Sequence, residues 1–103
     1  MISIIVCTYN REVYLPKMLN SVAQQNCNTN DFELIIVDNN STDNSSKICK
    51  TFQANNSNIN SSYFLENQQG LSFARNRGIR EAKGDFLVFI SKSYSFFFHL
   101  IEA

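Results

Sequence analysis

The stretch "FELIIVDNNSTDNS", residues 32–45, carries the reading of the fold. Phe32 to Val37 is apolar enough for a strand covered on both faces. "DNNSTDNS" (38–45) then breaks the strand with residues that favour turns and helix starts. Ser41 or Thr42 is expected to cap a helix running to about residue 54, with Ile48, Cys49 and Phe52 facing inward. A buried strand, a polar tip and an amphipathic helix form the repeating unit of an α/β domain.

The same unit recurs on either side. Upstream, Ile2 to Val6 reads as a first buried strand. Residues 13–25 carry Leu15, Leu19, Val22 and Ala23 at helical spacing, and Pro16 fits only in the first turn of that helix. "NCNTND" (26–31) is read as a loop. Downstream, "NNSNINSS" (55–62) is a polar loop and Tyr63 to Leu65 a short third strand. A helix should open at Gly70 and run to about Ala82, with Leu71, Ala74, Ile79 and Ala82 inward and Gly84 as the residue that ends it. "FLVFI" (86–90) is the fourth strand. The order β-α-β-α-β-α-β predicts an α/β fold, a mostly parallel sheet with helices on both faces and right-handed crossovers. In such sheets ligands bind outside the carboxyl ends of the strands, so the tips after strands one, two and four should converge.

Composition sets limits on function. A chain of 103 residues with 44% hydrophobic residues holds one domain with its own core. Nine basic residues cancel nine acidic ones, so no basic field exists to attract nucleic acid. Cys7, Cys27 and Cys49 show no metal-type or redox-type spacing and read as small packed thiols. An odd cysteine count, no basic segment before the first apolar run and no run near the ~18 residues of a membrane helix suggest a cytoplasmic protein.

The tips are chemically pointed. Strand one ends in Cys7-Thr8-Tyr9-Asn10-Arg11, strand two in Asp38-Asn39-Asn40-Ser41-Thr42-Asp43, and the third helix begins "GLSFARNRG" with Arg75 near its start. An aromatic ring can stack on a base, a carboxylate can accept from a base N–H or ribose hydroxyl, and a guanidinium can fork onto phosphate oxygens. Neither the glycine-rich dinucleotide fingerprint nor the GxxxxGK[ST] phosphate loop is present, so a nucleotide must be held another way.

"SIIVCTYNR", "LIIVDNNSTDNS" and "NQQGLSFARNRGIREAKGDFLVFI", in that order and spacing, resemble the N-terminal, nucleotide-sugar-binding half of a family 2 glycosyltransferase of GT-A fold, a Rossmann-like architecture. The resemblance covers residues 1–90. It implies transfer of a sugar from a nucleotide-diphosphate donor to an acceptor hydroxyl, as in polysaccharide biosynthesis. It also implies a nucleotide site made by Thr8, Tyr9, Asn10, Asp38, Asn40 and Arg75, with Asp38 against the base and Arg75 near the diphosphate. Asp38 and Arg75 are then expected to meet in one pocket.

The resemblance further implies Mg²⁺ or Mn²⁺ held by Asp-x-Asp at the end of the fourth strand. Here those positions are Ser91, Lys92 and Ser93. An ammonium about 4 Å from a divalent ion is repelled by roughly 8 kcal/mol at an effective dielectric of about 20, so no metal site of the family type is expected. Residues 91–103 read as a divergent tail, the expected product of a truncation or frameshift at Ser91. The tail offers His99 and Glu102 as the sole candidates for a catalytic base, and neither is assigned that role. The chain is therefore expected to be incomplete and inactive alone. The alternative is a non-catalytic nucleotide-binding or oligomerising module, self-associating through an open apolar edge at the fourth strand. Family members often act near the membrane.

Overall fold

Alternation of apolar side chains builds a sheet with two covered faces. The computed structural model describes residues 1–24 and 31–90, together with the backbone of 98–102. The strands are β1 (Ile2–Thr8), β2 (Phe32–Asp38), β3 (Ser61–Leu65), β4 (Phe86–Ile90) and β5 (Phe98–Glu102); the helices are α1 (Leu15–Ala23), α2 (Ser45–Asn55) and α3 (Leu71–Glu81). The strands lie in the order β3-β2-β1-β4-β5. β1 to β4 are mutually parallel, and β5 runs antiparallel to β4.

In-register pairing of Ile4 with Leu34 and Val88, and of Ile5 with Ile35 and Phe89, stacks the even and odd positions in rows on opposite faces. The even face (Ile4, Val6, Leu34, Ile36, Val88, Ile90) packs on Leu15, Leu19 and Val22 of α1 and Cys49 and Phe52 of α2. The odd face (Ile5, Ile35, Val37, Leu87, Phe89) packs on Ala74 of α3. The chain steps outward from β1 through β2 to β3 under α1 and α2. It returns across the sheet to β4 under α3, on the other face, so the crossovers share one hand. This reversal puts the switch point of the topology beside β1.

Several local expectations change. Neither Ser41 nor Thr42 caps α2: the helix starts at Ser45, with Asn44 at its cap position. Asp43 accepts from the Ser45 backbone N–H at 3.0 Å instead, the anionic partner that a helix start favours. Leu71 and Ile79 are not inward; they are 58% and 44% exposed. α3 meets the sheet through small residues, Ala74 and Gly78. A Cβ on Gly78 would stand 2.5 Å from Ile5 Cγ2, so close approach of helix to sheet leaves the larger side chains outside the contact. Gly84 has no left-handed backbone; α3 ends at Ala82 in an extended conformation. Gly84 is small because β1 is near: a Cβ there would meet Met1 O and Ser3 Oγ at 2.6 Å.

The edge of β4 from which self-association was expected is taken within the chain. β5 pairs along it from Phe86↔Glu102 to Ile90↔Phe98, satisfying the N–H and C=O groups that an edge strand leaves open. Cys27 and the rest of residues 25–30 lie outside the described residues.

A clamp closes the amino end of the sheet. The Ser3 hydroxyl donates to Glu33 Oε2 at 2.6 Å, the Lys83 backbone N–H donates to the same oxygen at 2.6 Å, and Gly84 N–H donates to Ser3 Oγ at 2.8 Å. Two strands and the α3–β4 turn are thus joined by one buried carboxylate, at the end opposite the strand tips.

The α3–sheet contact makes a testable statement. Gly78→Ala should lower stability by about 1–2 kcal/mol, since overpacking costs about 1–3 kcal/mol and the helix regains at most about 1. Thermal unfolding should show a midpoint several degrees lower; an unchanged or raised midpoint would mean that α3 can lift off β1 without cost.

Candidate functional site

The carboxyl ends of β1 and β2 are tied to each other before they meet any ligand. Asn10 and Asn40 both sit in the left-handed backbone region, at φ 48° and 66°, where Asn is tolerated better than most residues. Asn10 N–H donates to Ser41 Oγ at 2.9 Å, and Thr42 N–H donates to Asn10 Oδ1 at 2.8 Å. Asp43 reaches across to accept from Glu12 N–H at 3.1 Å. Asn10 and Asn40 therefore shape the tip.

Asp38 anchors that tip from below. It is 1% exposed. Its Oδ1 accepts from Ser41 N–H at 2.9 Å and its Oδ2 from the Tyr63 hydroxyl at 2.6 Å. Burial, with the Asp38 bond adding to it, pushes the Tyr63 phenol up to about 12. Asp38 has the parity of Leu34 and Ile36, so its side chain turns to the α1/α2 side, where Tyr63 packs.

Arg75 is on the other side. Its guanidinium lies 6.0 Å from the centroid of the Phe89 ring. Its charge also acts on Cys7: burial pushes that thiol up to about 11, against the pull of Arg75. Asp38 and Arg75 share the carboxyl end of the sheet but not a face. The expected meeting of the two in one pocket is corrected on that ground: strand parity sends position 38 away from α3.

Between the β1 tip and the start of α3 lies a cavity of about 530 Å³. Cys7, Thr8, Tyr9, Arg11, Tyr14, Asn39, Gln69, Gly70, Leu71 and Ala74 are among its walls. None of its described lining residues is a carboxylate, one is a guanidinium, and Arg75 follows directly on Ala74. Tyr9 is 46% exposed, a ring free to be covered. Thr8 is 4% exposed, and its hydroxyl is buried without a hydrogen-bond partner among the described residues. A hydroxyl buried without a partner costs about 1–3 kcal/mol; Ser45 Oγ, away from this cavity, is another such atom among the described residues.

Of the residues expected from the sequence, Thr8 and Tyr9 line the cavity; Asn10, Asp38 and Asn40 build the tip beside it; Arg75 stands at its flank. Cys7, Arg11 and Asn39 were missed as walls. The signal for two of them is parity: positions 7 and 39 continue the odd rows of Ile5 and Val37, the face that α3 covers. Ser91, Lys92 and Ser93 lie outside the described residues, as do the side chains of His99 and Glu102. Among the described residues no group of three or more His, Cys, Asp or Glu side chains could hold a metal ion. The donor set that the sequence supplies at the expected metal position, two neutral hydroxyls and an ammonium, does not fit a hard divalent cation, which takes oxygen ligands, carboxylates prominent among them. No helix among the described residues is long and apolar enough to cross a membrane.

Comparison with known proteins identifies the family and the fold. The family model for glycosyl transferase family 2 matches residues 3–92. The poly(ribitol-phosphate) beta-N-acetylglucosaminyltransferase TarS of Staphylococcus aureus is 36% identical over 88 residues, covering 85% of this chain and 15% of its own length. A PGL/p-HBAD biosynthesis glycosyltransferase of Mycobacterium tuberculosis is 38% identical over 99 residues, 94% of this chain and 37% of the relative. Among solved structures, S. aureus TarS 1–349 in complex with UDP-GlcNAc superposes with a TM-score of 0.77 at 30% identity, over 88% of this chain and 26% of that one. A mannosyltransferase of Pyrobaculum calidifontis, solved with GDP-Man and Mn²⁺, superposes with a TM-score of 0.85 at 23% identity over 88% of this chain and 27% of its own, a likeness of fold. The chain thus spans well under half the length of these relatives. On the match over residues 3–92 and these identities, the chain belongs to glycosyl transferase family 2 and has the GT-A fold.

Proposed function

We propose that this chain binds a nucleotide-diphosphate sugar and serves as the donor-binding half of a transferase that moves the sugar to an acceptor hydroxyl. The cavity at the β1 tip carries the reading: Thr8 is one of its walls, and the Thr8 hydroxyl has no hydrogen-bond partner among the described residues. The nucleoside lies across the ends of β1 and β2 with Tyr9 stacked on the base. The diphosphate faces Arg11 and Arg75, in a cavity whose described walls bring no negative charge to oppose it. Asn10, Asp38 and Asn40 hold the tip in shape. The complex of S. aureus TarS 1–349 with UDP-GlcNAc supports a nucleotide-sugar donor. The acceptor and the base that deprotonates it are not assigned to any described residue, and the site of action is the cytoplasm, near the membrane.

Thr8→Val tests the donor site. Valine keeps the β-branched shape and removes the unpaired hydroxyl. UDP affinity by calorimetry should fall about 5- to 30-fold, the equivalent of about 1–2 kcal/mol, while the unfolding midpoint stays level or rises. Unchanged UDP and GDP affinity with a raised midpoint would leave the hydroxyl without a ligand role. A binding module without catalysis is the second reading, favoured by the Ser91-Lys92-Ser93 departure; release of free sugar from UDP-GlcNAc by the purified chain would exclude it.

A further inference from the structure

We infer that Asn39 is the positioning residue of the nucleotide cavity: its side-chain amide clasps residues 66–70 and so fixes the wall that meets the ligand. The inference rests on the cavity being the nucleotide site. An asparagine amide offers two N–H donors and one carbonyl acceptor. Here both donors and the acceptor are used on one short segment. Nδ2 donates to Glu66 O at 3.1 Å and to Gln68 O at 2.7 Å, and Oδ1 accepts from Gly70 N–H at 2.9 Å. The Asn39 backbone N–H donates in turn to Thr8 O at 2.8 Å. One residue, 6% exposed, thus joins the β1 tip to the 66–70 segment, up to the residue that precedes α3.

The segment needs such a clasp. Gly70 sits at φ 138°, a backbone conformation open to glycine and to few other residues, and no side chain caps α3 in the ordinary way. The Glu66 backbone N–H still donates to Asp38 O at 2.8 Å, but residues 67–70 have no place in the sheet, and Gln69 and Gly70 form part of the cavity wall. The second anchor, Glu66, is held from α3 by Arg77 at 3.6 Å and Arg80 at 3.8 Å. These are partly exposed ion pairs of small worth; the Glu66 backbone bond to Asp38 holds one end of the segment and Glu66 Oε2 accepts from Gln68 N–H at 3.1 Å, while the buried amide is the tie that reaches Gly70. Because its amide is spent on the wall, Asn39 sets where the ligand's neighbours stand rather than reading the ligand itself.

Asn39→Ala should weaken UDP affinity at least tenfold and accelerate amide hydrogen exchange at Gly70, with β1 and β4 protected as before. Ser3→Ala breaks the clamp at the far end of the sheet and serves as the comparison: it should lower the unfolding midpoint yet leave UDP affinity within twofold. In the unmodified chain, UDP should slow exchange of the Gly70 amide and leave that of Gly84 unchanged, a reading that requires no variant to fold. Retained UDP affinity in Asn39→Ala, or an equal loss in Ser3→Ala, would overturn the positioning role alone. Failure of the unmodified chain to bind either UDP or GDP would overturn the nucleotide reading and the role together.

Discussion

Asp38→Ala is expected to lower the unfolding midpoint by about 12–30 °C, the largest loss of stability expected from any single substitution at the strand tips. The carboxylate is 1% exposed and accepts two hydrogen bonds, from Ser41 N–H and the Tyr63 hydroxyl. Bonds to a charged group are worth about 1.5–3 kcal/mol each, or about 3–6 kcal/mol for the pair; relief of the cost of burying a carboxylate offsets part of this, and roughly 3–4 kcal/mol is at stake. That is a large part of the ~5–15 kcal/mol that holds a domain folded. The loss also propagates. Without Asp38, Ser41 loses its backbone anchor, and the Ser41 hydroxyl is what Asn10 N–H bonds at the β1 tip. Calorimetric unfolding and UDP titration on the same sample separate the two roles open to this residue. A wild-type midpoint with UDP binding abolished would mean that Asp38 touches the nucleotide and does little for the fold. The expected result is the reverse weighting, with stability lost first and affinity falling because the tip is no longer built.

Most of the architecture was legible because it depends on periodicity alone. Runs such as Leu34 to Val37 and Leu87 to Ile90, alternating with amphipathic helices, indicate a parallel sheet covered on both faces, and that is the arrangement found. The elements that escaped depend on distance rather than pattern. Leu71 and Ile79 carry the helical spacing of an inward face, yet Gly78 brings α3 so near Ile5 that small residues make the contact. Gly84 looks like a helix terminator and is instead a point of close approach to β1. β5 lies in a short tail whose composition gives no alternating signal, so its pairing with β4 could come only from coordinates.

The site was legible as a neighbourhood and less so as an arrangement. Motif resemblance picks residues by position in the chain; strand parity decides which of them face the ligand. One step past the end of β2, from Asp38 to Asn39, exchanges the α1/α2 side for the α3 side. The carboxylate became a buried anchor and the amide beside it a wall of the cavity. The same step along β1 separates Thr8 from Cys7, and there both line the cavity because the strand ends beneath it.

Charge reversal at Arg75 should have the largest effect on binding. Arg75→Glu is expected to reduce UDP affinity about 100-fold or more and to leave uridine affinity unchanged. Two unit charges about 4 Å apart interact by about 4 kcal/mol at an effective dielectric of about 20. Arg75 is exposed, so screening lowers the figure, and replacing attraction by repulsion raises it again; about 3 kcal/mol, or about two decades in affinity, remains. Stability should barely move, within about 0.5 kcal/mol, because the Arg75 guanidinium meets the Phe89 ring only at 6.0 Å. The Cys7 thiol loses a charge that favours its ionisation, but with burial already holding it near 11 it stays protonated at neutral pH either way. Ionic strength supplies the internal check: the gap in UDP affinity between the unmodified chain and the Arg75→Glu variant should shrink as salt screens the phosphate, and the uridine values should not respond. Equal losses for UDP and uridine would instead mean that Arg75 supports the shape of the cavity, and the assignment of the diphosphate to the α3 side would fall.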